Sequence, residues 1–572
     1  MAAGPAMSDA PVDRAALFGR GLAAHREGRL QEAQQCYREL LDLDPTHFDT
    51  LRLAASAAMQ SGDPAAALVL FERVLRIDAG HVGVLNDRGV ALERLGRRAE
   101  ALADYERALA IDPGHVEALF NRGNVLAALK RPEEALANYA EVIRLKPDHA
   151  MAFHNRAVVL QMLGRFDAAL ESYAEAVQLK PDHADAYSNR GVTLRALDRS
   201  DEALASYAEA IRLKPGHADA FNNRGLVFQD LKRFDEAFAS FSEAIRLKPR
   251  HDGAFANRAR LQLLLRRFPA GFADYRHRVG ESDFVGSLQR TTLPRCEPDT
   301  LQGRLLLWAE QGLGDELFFA GLLPELLKRE VSVTLSAEKR LHPLLARSFP
   351  QIRLLDRAVA MRASIDSGYD AQAPIGDLGY LLGMDAPAIE ATRKAFLKTD
   401  ERQRESMRAK LAALGAGRVV GIAWHSANKK FSASKSIDLA QLQPLLATPG
   451  TVFVNLQYGD VAAELEALRG RTGLRIHRIE GLDVREDIDG LAALIDVCDA
   501  VVTVSNVTVH LAGALGKRGA VLVPHAKGRP WYWHQGDERS LWYPSLRLLC
   551  QDDPRDWSRP IAACTRWLQD LR

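Results

Sequence analysis

The chain has 572 residues, room for about three domains, and its 75 basic and 74 acidic residues leave a net charge of +1. That balance gives no bulk electrostatic argument for nucleic acid, and five scattered cysteines indicate a reducing compartment without a disulfide framework. The start of the chain lacks a signal-peptide pattern, and no apolar run approaches the ~20 residues of a bilayer span. We therefore expect a cytoplasmic protein, with a flexible N-terminus at residues 1–13.

After this segment, a histidine returns at a fixed interval of 34 residues. The seven copies are His47, His81, His115, His149, His183, His217 and His251. A period of this length predicts a stack of identical units, that is, a solenoid. In the copy at residues 218–251, the pattern predicts a helix near 221–231, a turn at 232–235 and a second helix ending at Leu247. We expect seven full units and a degenerate eighth over residues 14–279.

Two further positions keep the same phase. The residue equivalent to Gly225 is always Gly or Ala, and an aromatic ring recurs 16 positions after it. The rings are Tyr37, Phe71, Tyr105, Tyr139, Tyr173, Tyr207, Phe241 and Tyr275. Small residues let two helices approach to about 8–10 Å, and the ring fills the space beside them. This pattern resembles the tetratricopeptide repeat.

The histidines themselves are too far apart to share a metal ion. Equivalent atoms in successive units are separated by a helix-packing distance of about 8–10 Å, whereas a zinc–nitrogen bond is about 2.0–2.1 Å long. Each histidine follows the end of one unit, at the point where the next helix begins. We therefore predict a structural role at the turn.

An asparagine followed by arginine also keeps the 34-residue phase. The asparagines are Asn121, Asn155, Asn189, Asn223 and Asn257. Asparagine is disfavoured inside helices and its amide both donates and accepts, so this row could bind the backbone of an acceptor protein. The same repeat position carries an asparagine ladder in the nucleocytoplasmic O-linked N-acetylglucosamine transferases, which this solenoid resembles. The alternative is a copied structural element whose arginines pair with acids on a neighbouring unit.

Beyond Arg278 the rhythm stops, and residues 280–300 read as a connector. Strands then alternate with helices in two series, which favours parallel sheets with helices on both faces. The predicted strands are 304–309, 331–337 and 352–355, then 419–426, 451–457, 474–479, 500–504 and 519–524. The predicted fold class is a multidomain chain, an all-α solenoid followed by two Rossmann-like α/β halves at 301–400 and 415–572, with a linker near 399–417.

Ligands of such sheets bind at the loops that follow the strands. In the first half, residues 310–316 (EQGLGDE) form a tight loop in which Asp315 is either a reactive carboxylate or the N-cap of the next helix. In the second half, residues 505–516 follow a strand, and free N–H groups with the Thr508 hydroxyl could hold a phosphate. Ser505 and Asn506 are candidates for the same donor site, and ordinary helix capping by either residue is the alternative.

Together these loops resemble those of the heptosyltransferase-like GT-B glycosyltransferases. The match rests on residues 308–315 (WAEQGLGD), on 505–516, and on the aromatic motifs WYW at 531–533 and WYPS at 542–545. It covers about residues 300–560 and implies a nucleotide-sugar donor, no essential metal and an aspartate base that maps onto Asp315. Where this family usually has Asp-Thr-Gly, the chain has Ser505-Asn506-Val507. That departure is compatible with a CMP-linked donor, and equally with another nucleotide or with lost activity.

Four more residues are candidates for donor binding. Ser426 follows the first strand of the second half, Lys435 lies in the polar loop beyond it, Gln457 ends another strand, and His510 lies in the small-residue helix. A solvated lysine and a packing histidine are the alternatives for Lys435 and His510. A metal-like Asp-x-Asp at 487–489 opens a helix, where acids suit the helix dipole, so we expect no metal.

The whole architecture resembles the alphaproteobacterial flagellin glycosyltransferases. This resemblance implies a protein O-glycosyltransferase whose repeats hold flagellin, with CMP-pseudaminic or CMP-legionaminic acid as donor and without a cofactor. Two alternatives stay open. One is a UDP- or ADP-sugar transferase acting on another protein or a polysaccharide, and the other is a non-catalytic repeat scaffold with a degenerate glycosyltransferase domain.

Overall fold

The computed structural model describes residues 13–280, 291–362, 365, 367–426, 435–525, 529–534, 536–554 and 556–571. The chain divides into two compact units, Met1–Ala220 and Phe221–Arg572. The predicted tail at 1–13, apart from Asp13, and residues 281–290 of the predicted connector lie outside the described residues. Within the described part, each helix is too short or too polar to cross a bilayer.

Helices in pairs make up the chain from Arg14 to Tyr275. They are α1 Arg14–Arg26, α2 Leu30–Leu43, α3 Phe48–Gln60, α4 Pro64–Ile77, α5 Val82–Arg94, α6 Arg98–Ile111, α7 Val116–Ala128, α8 Pro132–Leu145, α9 Ala150–Met162, α10 Phe166–Leu179, α11 Ala184–Ala196, α12 Ser200–Leu213, α13 Ala218–Asp230, α14 Phe234–Leu247, α15 Asp252–Leu264 and α16 Phe268–Tyr275. The eighth pair is shortened, because α16 has only 8 residues where α14 has 14. The described helices therefore form eight pairs, of which the last is the shortened one.

The phased histidines begin the first helix of most pairs. Six of them accept, through Nδ1, the backbone N–H three residues later at 3.1–3.3 Å. This bond satisfies a helix N–H that otherwise has no partner within the helix. His183 makes no such described bond, and its ring centroid instead lies 4.7 Å from that of His154. The predicted structural role of the histidines is therefore confirmed.

The small residues and the rings pack as the pattern predicts. A Cβ atom added at Gly123 would lie 2.8 Å from the Tyr139 ring, and one at Gly225 would lie 2.6 Å from Phe241. Those distances are too short for a real Cβ contact, and both rings are buried. Glycine at these positions thus lets the two helices of a pair lie close together.

A four-stranded parallel sheet, sheet A, follows in the order β3-β2-β1-β4. Its strands are β1 Gly303–Trp308, β2 Val331–Ala337, β3 Arg353–Asp356 and β4 Ala371–Pro374. Its helices are α17 Leu313–Ala320, α18 Leu323–Leu326, α19 His342–Ser348, α20 Arg357–Ala360, α21 Leu378–Leu381 and α22 Ala386–Ala391. Helix α23, Glu401–Ala412, then leads to the second half.

Sheet B has six parallel strands in the order β10-β9-β8-β5-β6-β7. They are β5 Arg418–Ala423, β6 Thr451–Asn455, β7 Ile476–His477, β8 Ala500–Val504, β9 Gly519–Val523 and β10 Leu546–Cys550. Its helices are α24 Gln443–Leu446, α25 Ala462–Thr472, α26 Ile488–Val497, α27 Val507–Ala514 and α28 Ser558–Gln569. Every residue of β8 and β9 is buried, as expected for central parallel strands.

The structure differs from the sequence prediction at several elements. Between β1 and β2, where the alternation of strands and helices predicts one helix, the chain forms two short helices, and Pro324 lies in the first turn of the second. The expected linker contains α23, whose composition is so polar that only Met407 and Leu411 are buried. Strands β4 and β10 were not predicted, since β4 is only four residues long and ends in proline.

The last helix pair belongs to the same core as the two sheets. Phe268 and Phe272 of α16 are almost fully buried and form edge-to-face contacts with Trp542 and Trp531 at centroid distances of 6.1 and 6.0 Å. Both rings join the cluster that contains the inner residues of β1 and β2. The seventh and eighth pairs thus fall almost wholly within the second compact unit.

Candidate active site

The first candidate loop connects β1 to α17. Gly312 is the N-cap of α17, so Asp315 lies within the first helical turn and the capping alternative for Asp315 is wrong. Gln311 has a φ of 61°, and its carbonyl accepts a hydrogen bond from Arg357 at 3.1 Å. The loop is therefore held in one defined path directly before Asp315.

Asp315 is a carboxylate with a raised pKa. Burial raises its pKa to about 6, although the backbone of Gly312 and the charge of Lys435 oppose the rise. Its side chain still keeps part of its surface exposed. A carboxylate with this pKa is ionised at neutral pH and accepts a proton more readily than an ordinary aspartate.

Glu316, the next residue, positions α17. It is buried, pairs with Arg357 at 2.6 Å and accepts the backbone N–H of Glu338 at 3.0 Å. Burial raises its pKa to about 7. These contacts tie α17 to the end of β2, and no sequence pattern indicates them, because the partners lie 22 and 41 residues away.

The second candidate loop connects β8 to α27. Asn506 is the N-cap of α27, since its Oδ1 accepts the N–H of Thr508 at 3.0 Å, and its Nδ2 donates to the carbonyl of His425 at 3.1 Å. Ser505 accepts a hydrogen bond from the indole of Trp533 at 3.0 Å. The capping alternative thus describes Asn506. Among the described residues, the buried hydroxyl of Thr508 has no hydrogen-bond partner.

His510 lies inside an aromatic cluster. Its Nδ1 is 3.2 Å from the Tyr543 hydroxyl, its Nε2 is 3.3 Å from the Tyr532 hydroxyl, and its ring stacks on Trp533 with centroids 6.1 Å apart. Burial lowers the pKa of His510 to about 3, so the ring is neutral at physiological pH. The packing alternative therefore describes most of its environment.

The two loops meet through a glycine. A Cβ added at Gly314 would lie 3.1 Å from the ring of His510 and 3.9 Å from the Cα of Val507. Because Gly314 precedes Asp315 and Val507 opens α27, the carboxylate and the N-terminus of α27 belong to one region where the two halves join. Burial lowers the pKa of Lys435, whereas the charge of Asp315 raises it. Lys435 therefore faces the same region as Asp315.

The other donor candidates from the second half have structural partners. Gln457 is buried, and its Oε1 accepts the N–H groups of Trp424 and His425 at 2.9 and 2.7 Å. The N–H of buried Ser426 donates to the Ser436 hydroxyl at 3.2 Å. Residues 427–434, between Ser426 and Lys435, lie outside the described residues. Gln457 thus fixes the chain at the end of β5.

The asparagine row connects successive repeats. All five candidate asparagines, including Asn189 and Asn223, are half-buried. Asn121 donates to the Oδ1 of Asn86 at 3.0 Å, and Asn155 donates to the Oδ1 of Asn124 at 2.8 Å. Asn257 makes the equivalent bond to Asn222 at 2.9 Å. These amides therefore stabilise neighbouring repeats, and part of each remains at the surface.

Each phased arginine bonds within its own helix pair, and Arg258 also donates to Ser242 of the preceding pair at 3.2 Å. Each donates to the residue 16 positions later, on the second helix of the pair. The partners are Asp104 for Arg88, Asn138 for Arg122, Ser172 for Arg156, Ser206 for Arg190, Ser240 for Arg224 and Asp274 for Arg258. The expectation that these arginines pair with acids on a neighbouring unit is thus wrong. Only two of the six partners are acids.

Arg278 is a site residue that sequence reasoning missed. It is fully buried, its Nε lies 3.1 Å from the Glu310 carboxylate, and its Nη1 lies 2.8 Å from Asp377. Glu310 opens the loop that carries Asp315. This buried ion pair therefore links the end of the repeats to the candidate catalytic loop. The one sequence signal for Arg278 is its position at the end of the 34-residue repeat pattern.

Metal ligands do not cluster within the described ranges of the chain, where no group of three or more His, Cys, Asp or Glu side chains could hold an ion. Asp487 caps α26 by accepting the N–H of Gly490 at 2.8 Å. Asp489 pairs with Arg347 at 2.8 Å. Both acids of the Asp-x-Asp letters thus have structural partners.

Family models of the tetratricopeptide repeat match residues 14–47, 52–116, 86–150, 148–216 and 188–252. These matches coincide with the helix pairs and the histidine caps. The N-terminal half consists of tetratricopeptide repeats. Tetratricopeptide repeats stack into extended arrays that offer binding surfaces to other proteins.

One relative extends the comparison. Over 282 residues the chain is 33% identical to Protein FlbA of Caulobacter vibrioides, which is 47% of this chain and 46% of FlbA. The chain therefore spans about half the length of this relative.

Solved structures similar to the chain include further tetratricopeptide-repeat proteins. One from Parabacteroides merdae is 18% identical, with a TM-score of 0.37, over 43% of this chain and 97% of its own. YrrB, described as a TPR protein with an unusual peptide-binding site, is 26% identical, with a TM-score of 0.29, over 32% of this chain and 95% of its own.

Proposed function

We propose that this protein is a metal-independent GT-B glycosyltransferase, which transfers a sugar from a nucleotide-sugar donor to Ser or Thr of a protein bound by its repeats. The observation that carries the proposal is Asp315, a partly exposed carboxylate whose pKa burial raises to about 6. It lies where the loops of the two α/β halves meet, beside the N-terminus of α27. Parallel sheets bind their ligands at such loops.

The proposed chemistry is a displacement at the anomeric carbon. The acceptor hydroxyl attacks that carbon, Asp315 takes its proton, and the bond between the sugar and the nucleotide phosphate breaks. The leaving phosphate gains negative charge, which the N–H groups at the start of α27, the Thr508 hydroxyl and Lys435 would stabilise. The unpartnered, buried Thr508 hydroxyl supports a ligand at this helix terminus.

For the donor, we propose a CMP-linked nonulosonic acid. This choice rests on the resemblance to flagellin glycosyltransferases and on the absence of the Asp-Thr-Gly letters at 505–507. The amides of Asn506 and Gln457 are engaged within the protein. We therefore assign the donor contacts to backbone N–H groups, Thr508 and Lys435 rather than to those two amides.

For the acceptor, we propose flagellin, held by the tetratricopeptide repeats. The half-buried amides of Asn121, Asn155 and Asn189 keep part of their surface available for a peptide backbone. A tethered acceptor reaches roughly millimolar local concentration over a short linker.

The test combines the purified protein with flagellin and CMP-pseudaminic or CMP-legionaminic acid and measures the mass of flagellin. The wild type is expected to add one sugar mass or more, and Asp315→Asn to add none while retaining flagellin binding. Asp370→Asn is the matched control, because Asp370 is exposed and pairs with Arg304 at the opposite end of sheet A. An unchanged flagellin mass with folded wild type would refute the proposed donor and acceptor.

The non-catalytic scaffold remains the second candidate, because internal hydrogen bonds occupy Asn506, Ser505 and Gln457. Thermal shifts with CMP, UDP and ADP separate the alternatives. Stabilisation by one of the nucleotides supports an enzyme and names its donor class. Flagellin binding without stabilisation by any of the three supports the scaffold.

A further inference from the structure

Three basic side chains meet at the end of β9. Lys232, in the turn between α13 and α14, places its Nζ 3.4 Å from the Nδ1 of His525. His525 lies two residues beyond the last residue of β9, Val523. The Nε of Arg529 donates to the carbonyl of Pro524 at 3.0 Å, which brings its guanidinium back to the same strand end.

Neither Lys232 nor Arg529 has a carboxylate partner in the part of the chain that the structure describes. Lys232, His525 and Arg529 are all half-buried. Burial lowers the pKa of Lys232, and the charge of Arg529 lowers it further. The carboxylate of Asp552, whose charge raises the pKa of Lys232, is already paired with Arg559. Half-buried positive charges without a counter-charge are costly unless an anion joins them.

The position of this cluster favours a ligand of the candidate active site. Strands β8 and β9 are neighbours, with Val504 beside Leu522, and β8 leads directly to Ser505 and α27. The cluster is therefore one strand away from the proposed phosphate-binding turn, at the same carboxyl edge of sheet B. Ligands of parallel sheets bind at this edge.

We propose that Lys232, His525 and Arg529 form an anion-binding subsite, in which a tetratricopeptide repeat supplies a ligand-binding side chain. The guanidinium fork of Arg529 suits two oxygens of a carboxylate or phosphate, and Lys232 adds a point charge. The identity of the anion rests on the proposed function. It is the carboxylate of the donor sugar or a phosphate of the nucleotide, and both chemistries share these contacts.

The test treats the full chain with a dilute acetylating reagent. Peptide mass spectrometry then measures how far each ligand protects Lys232 from acetylation. Lys130 is the internal control, because it has the same repeat phase and nearly the same backbone, with a φ of 60° against 59° for Lys232. The probes are inorganic phosphate, CMP, N-acetylneuraminate and CMP-N-acetylneuraminate. We expect several-fold protection of Lys232 by at least one probe and none of Lys130. Protection by phosphate and CMP identifies a phosphate site, and protection only by the two sugar acids identifies a carboxylate site.

Variants then test the subsite directly. Lys232→Gln and Arg529→Gln are each expected to lower the affinity for the protecting probe about 10-fold or more, because hydrogen bonds to charged groups are the stronger ones. Lys130→Gln is expected to leave binding unchanged. Equal labelling with and without every probe, or unchanged affinity in both variants, overturns the subsite. If phosphate binding depends on Lys232 while no nucleotide sugar binds, the proposed function fails and the subsite stands.

Discussion

Removing the positive charge of Arg278 is expected to destabilise the second compact unit strongly. Arg278→Met keeps much of the side-chain volume but leaves the buried carboxylate of Glu310 without its counter-charge. Asp377 keeps a partner in Arg295 at 2.6 Å. Breaking a buried ion pair by removing one partner costs about 3–5 kcal/mol. We predict a loss of this size in the free energy of unfolding.

Tryptophan fluorescence reports this loss selectively. All seven tryptophans lie between Trp308 and Trp567, and none lies in the repeats. Excitation of tryptophan alone therefore follows unfolding of the α/β part while the repeat array stays silent. With a urea slope of about 3 kcal/mol/M, the predicted loss lowers the midpoint by roughly 1–1.7 M.

Two variants control the experiment. Arg304→Met removes an exposed partner of Asp370 and should lower the free energy of unfolding far less than Arg278→Met does. Arg278→Met combined with Glu310→Gln removes the unpaired charge and should recover part of the stability. A midpoint for Arg278→Met as close to wild type as that of Arg304→Met would refute the reasoning.

Further predictions concern Asp315, the histidine caps and the asparagine row. Transfer activity should rise with pH through about 6, since only the ionised carboxylate of Asp315 accepts a proton, and a flat rate between pH 5 and 8 would exclude it as the base. Because its folded pKa is raised, Asp315 binds more protons folded than unfolded between pH ~4 and ~6, so its contribution to stability is lost as pH rises through that window. Asp315→Asn should therefore raise the unfolding free energy at pH 8 by at most about 3 kcal/mol, and hardly at all at pH 4, in denaturation followed by fluorescence. In thermal melts followed by circular dichroism, His115→Ala should cost about 1 kcal/mol and His115→Asn, which keeps a capping acceptor, much less; equal losses would contradict the capping role. Changing Asn121, Asn155 and Asn189 together to alanine should weaken acceptor binding, measured by calorimetry with folding checked by circular dichroism, and unchanged affinity would exclude the ladder.

The sequence could predict those features that depend on residues close together in the chain. The 34-residue phase predicted the helix pairs and the histidine turns, because each cap bonds to an N–H only three residues away. The alternation of strands and helices, which is also a pattern of neighbouring segments, predicted the parallel sheets. The polar helix α23 escaped notice since it buries only two side chains.

Contacts between distant parts of the chain could not be predicted in this way. Arg278 and Asp377 are 99 residues apart, and Lys232 and His525 are 293 apart. Whether such residues meet depends on the order of strands in the sheets, which periodicity does not encode. The same holds for Asn506, whose side-chain amide donates to the carbonyl of His425, 81 residues away in the chain.

The shared core of the last repeat has a consequence for how such a protein can change in evolution. Phe268 and Phe272 pack on the tryptophans of the α/β part, so the seam between the two architectures lies upstream of the last repeats rather than at the connector. Gain or loss of one whole 34-residue copy before Ala220 preserves the phase of every later cap and ring. Recombination in that region can therefore lengthen or shorten the repeat array by whole repeats. The last repeats and the residues around Asp315 are then inherited together.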